Sequence, residues 1–251
     1  MSEEWIVGKN PVIEALRSGR SINKIWIAEG VNKNQMGPIV SLAKEHGIVI
    51  TSVNRKKLEQ LSGAENHQGV IASVAAYQYV EVDELLARAK QRGEDPFLLI
   101  LDELEDPHNL GSILRTADAV GAHGVVIPKR RSVGLTATVA KASAGAIEYV
   151  PVARVTNLVR TIEELKQQGV WIAGTDADAS QDFREGDFAM PLALVIGSEG
   201  RGMSRLVREH CDFLYRLPMA GQVTSLNASV AAALLMYEVY RARYPLPPQV
   251  R

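Results

Sequence analysis

Cysteine is almost missing from this chain. One residue, Cys211, stands among 251, which excludes an internal disulfide framework and fits a reducing, cytoplasmic setting. A lone cysteine reads as a small buried hydrophobe rather than a nucleophile. The five histidines are scattered and no His/Cys group has zinc spacing, so no metal site is expected. The longest apolar run, around Ala228 to Tyr237, is too short to cross a bilayer, so no membrane partner is expected. The start, MSEEWIVGKN, lacks the basic-then-apolar layout of a signal peptide. The formal net charge of −1 argues against binding nucleic acid through bulk charge. Neither G-x-G-x-x-G nor G-K-[ST] occurs where a dinucleotide or P-loop site needs it.

What is present is an ordinary globular composition, 46% hydrophobic and 23% charged, long enough for a small domain and a medium one. Residues 1–76 read as a small α/β unit. Strands are expected at KIWIAEG, GIVITSV and QGVIASVAAY, with helical patterns over Asn10 to Arg17, Met36 to Lys44 and Arg55 to Leu61. Residues 77–96 read as a linker containing a short helix capped by Asp83 and ended by Gly93 and Pro96. From Phe97 to residue 251 strands alternate with helices: FLLILDEL, GVVIP, YVPVA, VWIAGTD, LALVIGSEG and FLYRLPM, then a final helix from about Ser225 to Arg243. Continuous apolar strands between helices imply an α/β fold with a parallel sheet covered on both faces. Ligands of such sheets bind at the carboxyl ends of strands. The glycine-rich turn follows the fifth strand, so the pocket is expected late in the chain.

Three stretches at strand ends carry the chemistry. DPHNLGSILRTADAVGA (106–122) leads through a turn into a helix bearing Asn109 and Arg115. LVIGSEGRGMS (194–204) is a strand running into glycines. LPMAGQVTSLNASVAAALLMYEVYR (217–241) ends a strand at Leu217 and reaches Ser225, which can cap the last helix. Alone, each is weak: Asn109 and Ser225 can be plain caps, Arg115 can pair with Asp118, and Glu199 can be a solvated acid. Two basic triplets, Arg55-Lys56-Lys57 and Lys129-Arg130-Arg131, lie beside turns and can be solvated loop charge.

In this order and at strand ends, N-x-G-x-x-x-R-T-A, I-G-S-E-G-x-G-M and P-M-x-G-x-V-x-S-L-N-x-S-V-A resemble the SpoU-type ribose methyltransferases of the SPOUT superfamily, over roughly Leu98 to Tyr240. Residues 1–76 are similar to the L30e-like RNA substrate-binding domain. That domain precedes the catalytic one in bacterial enzymes methylating a guanosine of large-subunit ribosomal RNA. The resemblance implies a deep trefoil knot binding S-adenosylmethionine, and a homodimer through the knot region. It implies cofactor contacts at Thr175, Gly197, Gly200, Leu217, Met219, Ser225 and Leu226, with glycine at 197 and 200 leaving room for the adenosine. It implies catalytic roles for Arg115, Asn109, Glu199 and Asn227, with the last three orienting Arg115 and the ribose.

An RNA ribose is a coherent substrate, since only RNA carries the 2′-hydroxyl. Residues 1–76 hold nine Lys and Arg against seven Asp and Glu, a net of +2, so they are the expected recognition module. The basic residues Arg55, Lys56 and Lys57 of that module, and Lys129, Arg130 and Arg131 of the following domain, are the expected RNA contacts. Two alternatives stay open: the same chemistry on transfer RNA, and a non-catalytic ribosome-assembly protein on the same fold. The N-terminal module speaks against the first and the complete polar set against the second.

Overall fold

The computed structural model describes residues 5–17, 19–63, 66–75 and 77–246, without the side chains of 33 and 34. The domain limits at 1, 76 and 251, and the first four residues of the N-terminal stretch MSEEWIVGKN, fall outside these. Two compact units divide the chain. Met1–Gln78 with Gly134–Ala140 form one, and Tyr79–Val133 with Lys141–Arg251 the other. Among the described residues no helix is long and apolar enough to cross a membrane, and no cluster of His, Cys, Asp and Glu could hold a metal.

The first unit contains β1 (Trp5–Val7), α1 (Lys9–Arg17), β2 (Ile22–Ala28), α2 (Lys33–Glu45), β3 (Ile50–Val53), α3 (Arg55–Ser62) and β4 (Val70–Val74). Its sheet runs β1-β4-β2-β3. Only the β2/β3 pair is parallel. Alternation along β2 sends Ile25 and Ile27 to one face, where they pack with Val12, Leu16, Ile39 and Ala72 from α1, α2 and β4. Leu58 of α3 covers part of the other face with Ala28, Ile71, Trp5 and Trp26. Strand β1 has no signal in the sequence, because three residues carry no periodicity. Helix α2 begins three residues earlier than the Met36 start, and Pro38 lies inside it. A proline at that place forgoes the hydrogen bond to the carbonyl four residues back.

The second unit opens where the sequence suggests a linker. Val80 donates its N–H to Val152 O at 3.0 Å. Helix α4 (Val82–Arg92) buries Leu85 in the core with Leu98, Ile100 and Val126. Its N-terminus is a capping box of Glu81 and Glu84, not a cap at Asp83, and Gly93 ends it at φ +67°. Then follow β5 (Phe97–Leu101), α5 (Pro107–Ala119), β6 (Gly124–Pro128), α6 (Ala137–Ala142, whose residues up to Ala140 count with the first unit), β7 (Val152–Val155), α7 (Leu158–Gln167), β8 (Trp171–Thr175), β9 (Gln181–Asp182), β10 (Leu192–Ile196), α8 (Arg205–Glu209), β11 (Phe213–Arg216) and α9 (Ala228–Arg243). Strand β7 starts at Val152 rather than at Tyr149 because a 3-10 turn, Ala146–Glu148, and Pro151 precede it. The expected parallel sheet is present, ordered β7-β6-β5-β10-β8-β11-β9 with every pairing parallel.

Two long-range ties hold this sheet. Arg243, in the last turn of α9, donates to Asp95 O (2.6 Å), Pro96 O (2.9 Å) and Met190 O (2.8 Å). Its guanidinium lies over the Phe97 ring, 5.4 Å from the centroid, so the helix is clamped where β5 and β10 enter the sheet. His123 is buried, accepts from Phe97 N–H through Nδ1 at 3.0 Å and meets Glu94 Oε2 through Nε2 at 2.9 Å. Because Nδ1 accepts, the proton of the neutral ring sits on Nε2 and is donated to Glu94. Strand β10 lies between β5 and β8, so the loops leaving these neighbours converge at one end of the sheet. That is where the motifs meet.

Candidate active site

The loop after β10 is a tight hairpin. Ser198 N–H donates to Gly202 O (3.0 Å) and Gly202 N–H returns to Ser198 O (2.9 Å), enclosing Glu199, Gly200 and Arg201. Gly200 (φ +79°) and Gly202 (φ +68°) supply the left-handed conformations this turn needs. Gly197 is required for a different reason from the one expected. A Cβ there would stand 2.2 Å from Gly202 C and 2.3 Å from Met203 N, so the space is taken by the chain's own returning backbone. At Gly200 a Cβ would meet nothing within 4 Å, and this is the open side of the loop. Asp102, buried at the end of β5, accepts from Ser204 N–H at 2.7 Å and ties the far end of the loop down. Sequence reasoning passes over Asp102, which sits among Glu103, Glu105 and Asp106 with nothing to single it out.

Helix α5 starts at its cap Asp106, which accepts from His108 N–H, and buries Asn109. Asn109 Nδ2 donates to Glu199 Oε1 at 3.0 Å. Asn227 Nδ2 donates to Asn109 Oδ1 at 3.0 Å and also to Glu199 Oε1. Ala228 N–H is a third donor to the same carboxylate oxygen, at 3.2 Å. One residue from each motif therefore meets in a single network. A carboxylate at the N-terminus of α9 is also favoured by the helix dipole. The cap of that helix is Asn227, not Ser225: its Oδ1 accepts from Ser229 N–H (3.0 Å) and Val230 N–H (3.3 Å). Ser225 lies exposed two residues earlier.

Arg115 stands apart from this network. It is exposed on α5, six residues or about 9 Å of helix rise beyond Asn109. Its side chain bonds to none of the described residues, Asp118 included. The structure therefore does not show Asn109, Glu199 or Asn227 orienting it within one chain. Beside it a hollow of about 400 Å³ runs between α5 and α9, lined by Ser112, Thr116, Ser229, Val230, Leu234 and Tyr237.

Of the expected cofactor residues, Thr175 ends β8 opposite Tyr215 of β11, and Asp176 just after it pairs with Arg208. Leu217 and Leu226 are half-buried, while Met219 is 40% exposed. Among the described residues, the backbone from Pro218 to Leu226 makes no hydrogen bond. A stretch whose N–H and C=O groups lack partners among the described residues is available to a ligand with donors and acceptors on its rim, as an adenine has. With the open side of Gly200, these features fit S-adenosylmethionine. Cys211 is inert by comparison, since burial pushes its thiol up to about 12.

The basic residues divide. Arg55, Lys56 and Lys57 are exposed in the first turn of α3. Lys129 is half-buried and Arg130 exposed. Arg131 is taken up by Glu103 at 2.7 Å, both residues holding positive φ, +52° and +56°.

Comparison with known proteins agrees with this geometry. Residues 96–237 match the SpoU rRNA methylase family, and residues 5–80 match the RNA 2′-O ribose methyltransferase substrate-binding domain. A Bacillus subtilis (strain 168) protein assigned to the TrmH family of tRNA/rRNA methyltransferases, YacO, is 65% identical over 97% of both chains. The crystal structure of an S-adenosylmethionine-bound rRNA methyltransferase from Sinorhizobium meliloti superposes with a TM-score of 0.59 at 26% identity. It covers 94% of this chain and 86% of its own. The A. aeolicus TrmH/SpoU tRNA-modifying enzyme gives 0.55 at 29% identity, covering 63% of this chain and 84% of its own. The chain belongs to the SpoU methylase family and is an S-adenosylmethionine-dependent RNA methyltransferase with the SPOUT fold.

Proposed function

We propose that this enzyme methylates the ribose 2′-hydroxyl of a guanosine in large-subunit (23S) ribosomal RNA, in the bacterial cytoplasm where that RNA is assembled. The observation that carries the reading is the Asn109–Glu199–Asn227 network, which unites three motifs 118 residues apart at one end of the sheet. A pure binding protein has no need of that arrangement. The match of residues 5–80 to a substrate-binding domain supports ribosomal over transfer RNA, as does the smaller share of this chain spanned by the tRNA-modifying relative.

When bound, S-adenosylmethionine supplies a methyl group already activated by its sulfonium. The protein's residues have two remaining tasks, holding the ribose in line and managing the 2′-hydroxyl proton. The backbone of Leu217, Met219 and Leu226 would hold the adenine, Gly200 and Thr175 would line the same pocket, and Gly197 lets the loop close. The network fixes the hairpin and the first turn of α9 so that these groups do not drift. Arg115 stays cationic, because a guanidinium loses its proton only above about pH 12. As the 2′-hydroxyl gives up its proton to bulk water, Arg115 would steady the charge that builds on that oxygen and on an adjoining phosphate.

The assembly is a homodimer through the knot region. Val230 (47% exposed), Leu234 (45%), Tyr237 (54%) and Tyr240 (41%) form an apolar face on α9 of the kind that marks an interface. Arg115 lies at the edge of that face, and a second copy docked there brings it to a subunit boundary. Mapping ribose methylation in RNA from cells with and without this protein tests the function. Loss of one 2′-O-methylguanosine in 23S RNA is expected, and a loss confined to transfer RNA contradicts the reading.

A further inference from the structure

A hollow of about 410 Å³ opens in the first unit where the parallel strands β2 and β3 end. The carboxyl ends of parallel strands are the usual place for a ligand, and the volume suits a small molecule. Its lining is Glu29 after β2, Val53 at the end of β3, and Asn54, Lys56, Lys57 and Gln60 from the start of α3. The side chains of Glu29, Lys56, Lys57 and Gln60 have no partner among the described residues. An acid and two ammonium groups thus share one hollow without pairing. The lysines do nothing for α3 itself, since cations in a first turn oppose the helix dipole and no acid is there to offset them.

The occupant must therefore be anionic on one side and carry hydrogen-bond donors on the other. A nucleotide of RNA is both. Guanine is the base that sets two adjacent donors, N1–H and N2–H, against the two oxygens of a carboxylate. Adenine and cytosine offer one amine beside an acceptor, and uracil one N–H between two carbonyls. We propose that this hollow takes one unstacked guanosine of the RNA substrate, with Glu29 on the Watson–Crick edge, Lys56 and Lys57 on the phosphate, and Gln60 on O6. The proposal rests on the RNA-methyltransferase reading and adds a base-specific interaction outside the catalytic unit.

The test is fluorescence anisotropy of the full chain with labelled uridine nonamers carrying a central G, A, C or U. The guanine nonamer should bind roughly tenfold tighter than the others, and Glu29→Gln should level the four. Lys56→Ala with Lys57→Ala should weaken all four alike and flatten the salt dependence, by about 0.7 in log–log slope for each phosphate no longer neutralised. Calorimetry with S-adenosylmethionine confirms that each variant keeps a folded catalytic unit. Equal affinities in the unmodified protein, no measurable binding of any nonamer, or a guanine preference that survives Glu29→Gln would overturn the proposal. So would free guanosine monophosphate binding as tightly as the guanine nonamer, which would make the ligand a free nucleotide. A protein that methylates RNA but shows no base preference loses only this pocket, whereas one that fails to bind S-adenosylmethionine loses the enzyme reading itself.

Discussion

Asn109 Nδ2 and Glu199 Oε1 lie 3.0 Å apart across 90 residues of chain, and Asn227 closes the network from a third segment. Because the two asparagines share partners, the effects of removing them should not add. Asn227→Ala is expected to cost about 1 kcal/mol as a missing helix cap, and Asn109→Ala about 1–3 kcal/mol by leaving buried groups unpaired. The double variant should fall short of the sum by at least roughly 0.5 kcal/mol. Urea denaturation of the four proteins measures this, and plain additivity would show that the network does not act as a unit.

The glycine loop separates packing from ligand space. Gly197→Ala pushes a Cβ into the Gly202–Met203 backbone and should cost at least about 2 kcal/mol, lowering Tm by several degrees. Gly200→Ala strains a left-handed residue by about 1 kcal/mol but meets no atom of the described residues within 4 Å. It should stay folded while losing S-adenosylmethionine affinity. Calorimetry on both decides, and undiminished binding by Gly200→Ala would place the cofactor elsewhere.

His123 makes stability fall on the acid side. Burial holds its pKa below the ordinary 6.5, with Glu94 opposing in part. The folded state therefore resists a proton that the unfolded chain accepts. This contribution is complete above about pH 6.5 and is lost as pH falls from there toward the lower folded value. His123→Asn keeps an acceptor for Phe97 N–H and should flatten the pH dependence of unfolding just below about pH 6.5. An unchanged slope would remove His123 as its source.

Much of this is legible in the chain. Leu192–Ile196 reads as a buried strand and Gly197–Gly202 as its turn because apolar run and glycine are local signals. Ser225 and Asn227 are equally good caps two residues apart, so the choice between them depends on Glu199 and Asn109, neither of them near in sequence. The packing reason for Gly197 depends on the loop returning on itself at Gly202. Arg243 and His123 give no signal for the same cause, since their partners at Asp95, Pro96, Met190 and Phe97 are set by the fold. Residues 77–96 look like a linker because Leu85 finds its core only once the sheet exists.

Arg115 has no partner among the described residues, and a free guanidinium beside an apolar face suits a group that meets RNA. Arg115→Ala should lower the single-turnover methylation rate by roughly 10²–10⁴-fold with cofactor affinity nearly unchanged. Arg115→Lys keeps the charge but not the planar fork and should recover only part of the rate. Full activity in Arg115→Ala would remove Arg115 from the stabilisation of the attacking oxygen.

Ribose methylation of ribosomal RNA is the central claim, and one assay meets it directly. Purified protein is incubated with methyl-labelled S-adenosylmethionine and, in parallel, 23S RNA and total transfer RNA from cells lacking the enzyme. Each RNA is then digested to nucleosides. The account predicts label in 2′-O-methylguanosine from the 23S RNA alone. Label in transfer RNA, on a nucleobase, or in no nucleoside at all would contradict it.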